Sequence, residues 1–383
     1  MIMNKNKIII AFWLCTLALT TTACYAEKKK AERQTEEAAK SEPVEQHLSL
    51  LFAGDLMQHG PQIKAALRPD GSYDYSECFA SVKKEIERAD VAIANFEVTL
   101  GGKPYSGYPQ FRAPDEYLQA CIDAGFDILT TANNHCCDSR RAGLERTIMM
   151  MDSLRVPHLG TYVNSGVREK TYPFLLERNG LRVVLLNFTY GTNGLPVESP
   201  NIVNLMDTTQ IRRDIEKARA MKPDVIIAMP HWGIEYQQLP SAEQRQMAQW
   251  LIDAGVDHVI GGHPHVAQPV ELSADSLHFI AWSMGNVISN QSRPNTYGGY
   301  MVRLDLTKRK NTTKLSDCSY SLYWVSRPPD TNNRHNYRIM PIDVPDSVLT
   351  GTEQRLRYNI RTSMRRLMER HAKGVREHTE WAK

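Results

Sequence analysis

Val256-Asp257-His258-Val259-Ile260-Gly261-Gly262-His263-Pro264-His265 is the stretch that decides the fold. An apolar run ends in two glycines, and two imidazoles follow at a spacing of two residues. The run reads as a short buried strand, and the glycines mark where the chain leaves it. The same pattern occurs four times upstream. Leu48–Ala53 leads to Gly54-Asp55 and Met57, and Val91–Ala94 leads to Asn95-Phe96-Glu97. Ile128–Ala132 precedes Asn133-Asn134-His135, and Val225–Met229 precedes His231-Trp232-Gly233. In open α/β sheets ligands bind where strands end at their carboxyl termini. If these runs are neighbouring strands, two carboxylates, an amide and several imidazoles converge on one edge. That donor set suits zinc, manganese or iron.

Between these runs lie helical stretches: Tyr75–Arg88, Asp115–Ala124, Gly143–Leu154, Thr208–Ala220 and Ser241–Ala254. Further strands are expected at Arg182–Phe188, Phe279–Ser283 and Gly299–Leu306. The alternation is that of a layered α/β domain, placed at 48–307. Gly101–Pro114 and Gly191–Pro200 are loops beside strand ends, where substrate pockets form. From residue 308 to 383 the alternation fails. Asn311–Val344 reads as a small β excursion or irregular wrap. Thr352–Thr379 reads as a basic amphipathic helix with Leu356, Ile360, Met364 and Leu367 at spacings of four and three. Its Arg-rich face is expected to be the solvated side of a helix packed on the domain, with a membrane- or polyanion-binding device as the alternative. No internal repeat is visible.

The chain has 383 residues, 42% hydrophobic and 23% charged, with a formal net charge of +3. So small a charge does not mark a nucleic-acid binder. Lys5 and Lys7 precede an apolar stretch, Ile8 to Leu19, of signal-peptide length. Thr21-Thr22-Ala23-Cys24 resembles a lipobox, with threonine where leucine is usual. Residues 1–24 are thus expected to be a signal peptide and Cys24 a lipidation site. Cleavage after Ala26 is the alternative, and either route exports the protein. Residues 25–47 read as a charged tether. Of seven cysteines, the five beyond the leader cannot all pair, and none has zinc-finger spacing. Cys136-Cys137 is expected to pack rather than ligate.

Taken singly, Asp55 would supply a hard anionic oxygen or cap a helix, and Glu97 a carboxylate able to bridge two ions. Asn95 reads as a turn former. Asn134 offers a neutral ligand, and His135 could orient or protonate a substrate. His231 leaves a buried strand. His263 and His265 can reach one site if Pro264 holds the chain extended. His59 reads as a solvated loop residue, His258 as structural, and His158 has nothing to recommend it. Lys103, Tyr105, Tyr108 and Arg112 suggest a site for a polyanionic or phosphorylated substrate.

The order and spacing of these motifs resemble the CapA-type poly-gamma-glutamate capsule-biosynthesis family, which is similar to the calcineurin-like metallophosphoesterases. His231-Trp232-Gly233-Ile234-Glu235-Tyr236, His263-Pro264-His265-Val266 and Trp282-Ser283-Met284-Gly285-Asn286 add to the resemblance. It implies a four-layer α/β/β/α sandwich with metal ligands at Asp55, Glu97, Asn134, His231, His263 and His265, and His135 beside the leaving group. The implied cofactor is one or two divalent ions, Mn, Zn or Fe. Two departures stand out. Met57 occupies the place of a histidine, and Glu97 that of a shorter aspartate. The resemblance further implies an exported, lipid-anchored protein acting on an anionic cell-envelope polymer or its precursor, beside capsule synthase or export proteins. A metal-dependent hydrolase is the favoured activity. A scaffold with a vestigial metal site and an envelope phosphoesterase are the rivals.

Overall fold

Strand Gln46–Leu56 separates two hydrophobic cores. Successive side chains of a strand point to opposite faces. Leu48, Leu50 and Phe52 therefore enter one core, while Leu51 and Ala53 enter the other. The computed structural model describes residues 28–30, 45–328 and 336–381. The expected leader, Cys24 and most of the tether lie outside the described residues. Met1–Glu45 and Gln46–Lys383 are separate units, and the fold below is that of the second.

Two sheets carry the structure. The first runs Arg338–Pro341, Thr312–Ser326, Gly298–Arg309, Gln46–Leu56, Val91–Phe96, Ile128–Thr130, His158–Leu159. Asn286–Ile288 also pairs with Gln46–Leu56. The second runs Val270–Leu272, Phe279–Ala281, His258–Ile260, Val225–His231, Leu181–Thr189, Phe174–Arg178. The motif-bearing strands are mutually parallel within each sheet, so their carboxyl ends share an edge.

Leu50, Ile93 and Ile128 of the first sheet share a core with Val184, Ile227 and Val259 of the second. Helices Thr208–Ala220 and Ala242–Asp253 add Ile211, Ile215, Ala248 and Leu251 to that core. On the far side of the first sheet, helix Asp115–Asp123 lays Tyr117, Leu118 and Cys121 against Leu51, Ala53, Ala92 and Leu129. The result is the expected α/β/β/α layering. Each fully buried aliphatic or aromatic side chain adds roughly 1.5–3 kcal/mol. Ser241 and Gln244 form a reciprocal capping box that fixes where the second of these helices begins.

Three expectations need correction. Only Lys83–Glu87 of Tyr75–Arg88 is helical. The Cys78 carbonyl accepts from Ile339 N at 2.9 Å, outside any helical ladder. The C-terminal helix is Gly351–His371, shorter than Thr352–Thr379. Gly374, at φ +67°, turns the chain so that Arg376–Glu377 pairs in parallel with Thr312–Ser326. Finally, 311–344 contains a fifteen-residue strand, Thr312–Ser326, which pairs along its length with Gly298–Arg309. It widens the first sheet, and its partner Gly298–Arg309 crosses the point where the sequence alternation stops.

Candidate metal centre

Asp55 reaches the site because its strand is irregular there. The register with Val91–Phe96 shifts between Ala53 and Asp55, after which Asp55 lies opposite Asn95 and beside Asn286. Such a shift re-aims a side chain. Gly54 permits it, since a Cβ there would stand 1.9 Å from the Gly285 carbonyl oxygen. Gly262 likewise gives Asp55 room, as its Cβ would come within 2.9 Å of Asp55 Oδ1.

The expected ligands converge. Asp55, Glu97 and His231 offer atoms within 4.8 Å of one another, and so do Glu97, His263 and His265. Glu97 belongs to both groups and sits between them. Its Oε1 is 3.5 Å from His231 Nε2 and 3.8 Å from His265 Nε2. Asn134 Oδ1 lies 2.7 Å from His231 Nε2, which places the amide at the same edge. All six side chains are buried. Cys136 and Cys137 pack in a small cluster with Ala132, Leu144 and Ile148, and their sulfurs are unbonded.

The turn carrying His263 and His265 is not extended. His263 has φ +98° and His265 φ +60°, a region that non-glycine residues enter at a cost of about 1–3 kcal/mol. That conformation brings both rings inward, with centroids 5.9 Å apart. Tyr236 N donates to the Pro264 carbonyl at 2.8 Å and holds the turn.

The surrounding charges tune these groups. Burial would lower the pKa of His265, but Glu97 and Asp55 more than offset it and push it up to about 9. Burial would raise that of Asp55, yet the His265 hydrogen bond and the nearby His231 hold it below the ordinary carboxylate value. His263 is driven well below the usual histidine range, first by burial and then by His231 and His265. That favours the neutral form in which an imidazole coordinates metal, whereas His265 would release its proton on binding an ion.

A divalent cation fits this donor set. Glu97 Oε1 and His263 Nδ1 are buried and have no hydrogen-bond partner among the described residues. Buried polar atoms are rarely left in that state. Two buried electron-pair donors without hydrogen bonds, one from each neighbouring motif, suit coordination to a divalent cation. Met57 is buried at the site's margin and provides no imidazole.

An open cavity of about 650 Å³ adjoins the centre, lined in part by Met57, His135, Asp138, His265 and Arg293. His135 Nδ1 is 2.7 Å from Asp138 Oδ2, and its Nε2 is 3.5 Å from Asn193 Nδ2. His59 is no solvated loop residue. It is buried, accepts from Asn290 N at 3.3 Å, and sets its ring against Phe111. The loop at 101–114 contributes Tyr108, Pro109, Gln110 and Phe111 to the cavity. Lys103, Tyr105 and Arg112 are not among the lining residues. Arg112 Nε turns inward to Ser139 Oγ at 3.1 Å, and the Tyr105 ring packs on Tyr73.

Several participants lie in or beside the quoted motifs but had no role at the site assigned from sequence. Asn95 is more than a turn former: its amide donates to Asp55 Oδ1 at 2.8 Å and lies 3.3 Å from Glu97 Oε2. Asn133 ties Asn95 Oδ1 to the Phe96 carbonyl. Asn286 Oδ1 meets His265 Nδ1 at 3.1 Å. Asn193 was invisible because it meets His135 from a loop 58 residues away in sequence, and Asp138 gave only a faint signal. An acid three residues after a histidine was the one available clue.

The chain is similar to capsule biosynthesis protein CapA of Bacillus anthracis, 29% identical over 70% of this chain and 66% of that protein. It is also similar to PGA biosynthesis protein CapA of Bacillus subtilis (strain 168), 25% identical over 68% of each. The chain thus spans about two thirds of the length of these relatives. A solved structure, the calcineurin-like phosphoesterase YfkN from Bacillus subtilis, is similar at 15% identity and a TM-score of 0.43, over 85% of this chain and 99% of that one. The model of the bacterial capsule synthesis protein family PGA_cap matches residues 49–291, which is more than half of the sequence and contains every expected ligand. The chain belongs to that capsule synthesis family.

Proposed function

We propose that this protein is an exported, metal-dependent hydrolase that cleaves an anionic cell-envelope polymer, poly-gamma-glutamate or its precursor, during capsule biosynthesis. One observation carries the reading. Glu97 Oε1 and His263 Nδ1 lie buried without a hydrogen bond where six potential ligands converge beside an open cavity. A divalent ion held there would supply Lewis acidity and would lower the pKa of water towards neutral.

The chain's own residues would do the rest. Asp55, Glu97, Asn134, His231, His263 and His265 hold the ion, and Asn95 keeps the Asp55 and Glu97 carboxylates in place. His135 serves as the acid. With Asp138 fixing Nδ1, Nε2 can deliver a proton to the departing group. The neighbouring cavity takes the polymer.

The reading includes a lipid anchor at Cys24 and contact with capsule synthase or export proteins in the membrane. No helix among the described residues is long and apolar enough to cross a membrane. Stable attachment through lipid takes more than one acyl chain. Labelling with a clickable fatty acid should mark the wild type and not Cys24→Ala.

A second reading has one observation in its favour. Met57 stands where the resemblance expects a histidine, which suits a scaffold that binds polymer without cleaving it. Metal content decides between them, measured alongside turnover of phosphoester and gamma-glutamyl substrates. Stoichiometric metal with turnover supports the hydrolase. Metal-free protein whose melting temperature ignores Mn²⁺, Zn²⁺ and Fe²⁺ leaves the scaffold.

A further inference from the structure

The Arg-rich face of helix Gly351–His371 is not uniformly solvated. Arg357, Arg361 and Arg365 pair with Asp346, Asp343 and Glu377. Arg366 and Arg370 make no ion pair or side-chain hydrogen bond among the described residues, and both are exposed. They line a groove of about 580 Å³ whose opposite wall is Gln238 and Leu239. Tyr358, Thr362, Arg366 and Arg370 recur every four residues and form one row along the helix. Exposed Tyr358 and Leu239 add apolar surface to that row.

The groove adjoins the cavity of the metal centre. Glu235 and Tyr236 line the cavity, and Gln238 and Leu239, the next but one in sequence, line the groove. Two residues span at most about 7 Å. Arg293 stands on the cavity side of this divide, its guanidinium 4.7 Å from the centre of the Tyr236 ring. The loop bearing Arg293 is fastened to the same helix, where Ser363 Oγ donates to Asn295 Oδ1 at 2.8 Å. Glu235 and Asp138 are the acidic residues that line the cavity, and neither lines the groove. Arg327 braces the loop from behind by donating to the Asn290 and Gln291 carbonyls.

We propose that Arg366 and Arg370 form a second, distal subsite for a linear polycarboxylate, holding a stretch of the chain whose neighbouring stretch occupies the metal-centre cavity, with Arg293 bridging the two. The inference rests on the reading of the substrate as an anionic polymer. Charge complementarity selects the occupant: two uncompensated guanidinia in a row, with a third along the path, match repeated carboxylates on one flexible chain. Two contacts on one ligand act together, because the second binding event is intramolecular.

The test uses the purified protein with two fluorescent probes, long poly-glutamate and tri-glutamate, and follows anisotropy across a salt series. Arg366→Ala/Arg370→Ala should weaken binding of the long probe about three- to tenfold at low salt, since exposed ion pairs are individually weak. It should leave tri-glutamate binding, melting temperature and metal content unchanged. Arg212→Ala/Arg213→Ala removes the same charge elsewhere and should leave long-probe binding as in the wild type. Unchanged long-probe binding in Arg366→Ala/Arg370→Ala overturns the proposal, and so does an equal loss in the control pair. Loss of binding to anionic phospholipid vesicles, with poly-glutamate binding intact, also overturns it and assigns the face to a membrane. None of these outcomes depends on turnover. A metal-free, inactive protein would sink the hydrolase and leave this subsite standing.

Discussion

Asp138 Oδ2 lies 2.7 Å from His135 Nδ1 and also accepts from Phe111 N at 2.6 Å. One carboxylate thus fixes both the imidazole's orientation and the loop that forms the cavity's outer wall. His135 Nε2 is left on the Asn193 side, where a leaving group could be protonated.

That relationship yields the first prediction. His135→Ala should lower kcat by roughly 10²–10⁴, the usual worth of a positioned acid, without releasing metal. Asp138→Asn keeps the shape but permits the wrong tautomer, so it should lower kcat with metal content again unchanged. Steady-state kinetics paired with metal analysis checks both. Full activity in Asp138→Asn would remove the orienting role.

The second prediction concerns Gly54. A Cβ there meets the Gly285 carbonyl oxygen at 1.9 Å and Met284 Cβ at 3.3 Å. The strand ends must separate, and overpacking of this kind costs about 1–3 kcal/mol. Gly54→Ala should lower the denaturant midpoint and weaken metal binding together, because Asp55 is the next residue. Gly60→Ala is the control. Nothing lies within 4 Å of its added Cβ, so its effect should be neutral or slightly stabilising.

Much of this was legible because strand ends leave a strong imprint. A buried run such as Val225–Met229 must be apolar, so the His231 that follows it stands out. The Glu97 and His263 motifs carried the same contrast, and the packing of the two sheets then brought their strand ends together. Other features left no such imprint. Ser319 and Ser321 are buried in strand Thr312–Ser326, and their polarity disguised the second strand from one edge of the first sheet. Lys103 and Arg112 have the composition of an anion site, but composition does not say which way a loop faces. His59 looked solvated because burial against Phe111 depends on a loop some fifty residues away in sequence. Arg293 acquires its place from Tyr236 and Asn295 only after folding.

The third prediction is a pH dependence at His258. Its side chain is buried among strands, and Phe279 N donates to its Nδ1 at 3.2 Å. Burial lowers its pKa to about 4, with the nearby His278 adding to the effect. A histidine depressed in the folded state binds its proton more readily when unfolded. Its stabilising contribution is therefore complete above about 6.5 and is lost as pH falls from there towards about 4. The shift corresponds to roughly 3 kcal/mol at most. His258→Asn retains an acceptor for Phe279 N and cannot titrate. Its stability should fall less steeply between pH 7 and pH 5 than that of the wild type. A residual slope is expected from His59, whose pKa burial also lowers to about 4. Identical slopes in the two proteins would discard the assignment.

The last prediction tests the metal centre. Glu97 is shared by both groups of converging ligands, so its charge should matter more than that of any one imidazole. Glu97→Gln preserves size and burial but removes the anion, and should abolish stoichiometric binding. His263→Ala and His265→Ala each remove one donor and should weaken binding by at least about 10–100-fold, the range found even for groups that only orient ligands. His158 provides the comparison. It is partly exposed, pairs with Asp152 at 3.1 Å, and belongs to neither converging group. His158→Ala should keep full metal content. Metal titrations followed by calorimetry and by melting temperature measure all four variants without requiring a substrate. Loss of the ligand-dependent rise in melting temperature in Glu97→Gln, with its retention in His158→Ala, is the expected pattern. If His263→Ala and His265→Ala bind metal as tightly as the wild type, the ions seen in the purified protein are held elsewhere. The orphaned Glu97 Oε1 and His263 Nδ1 would then need another partner.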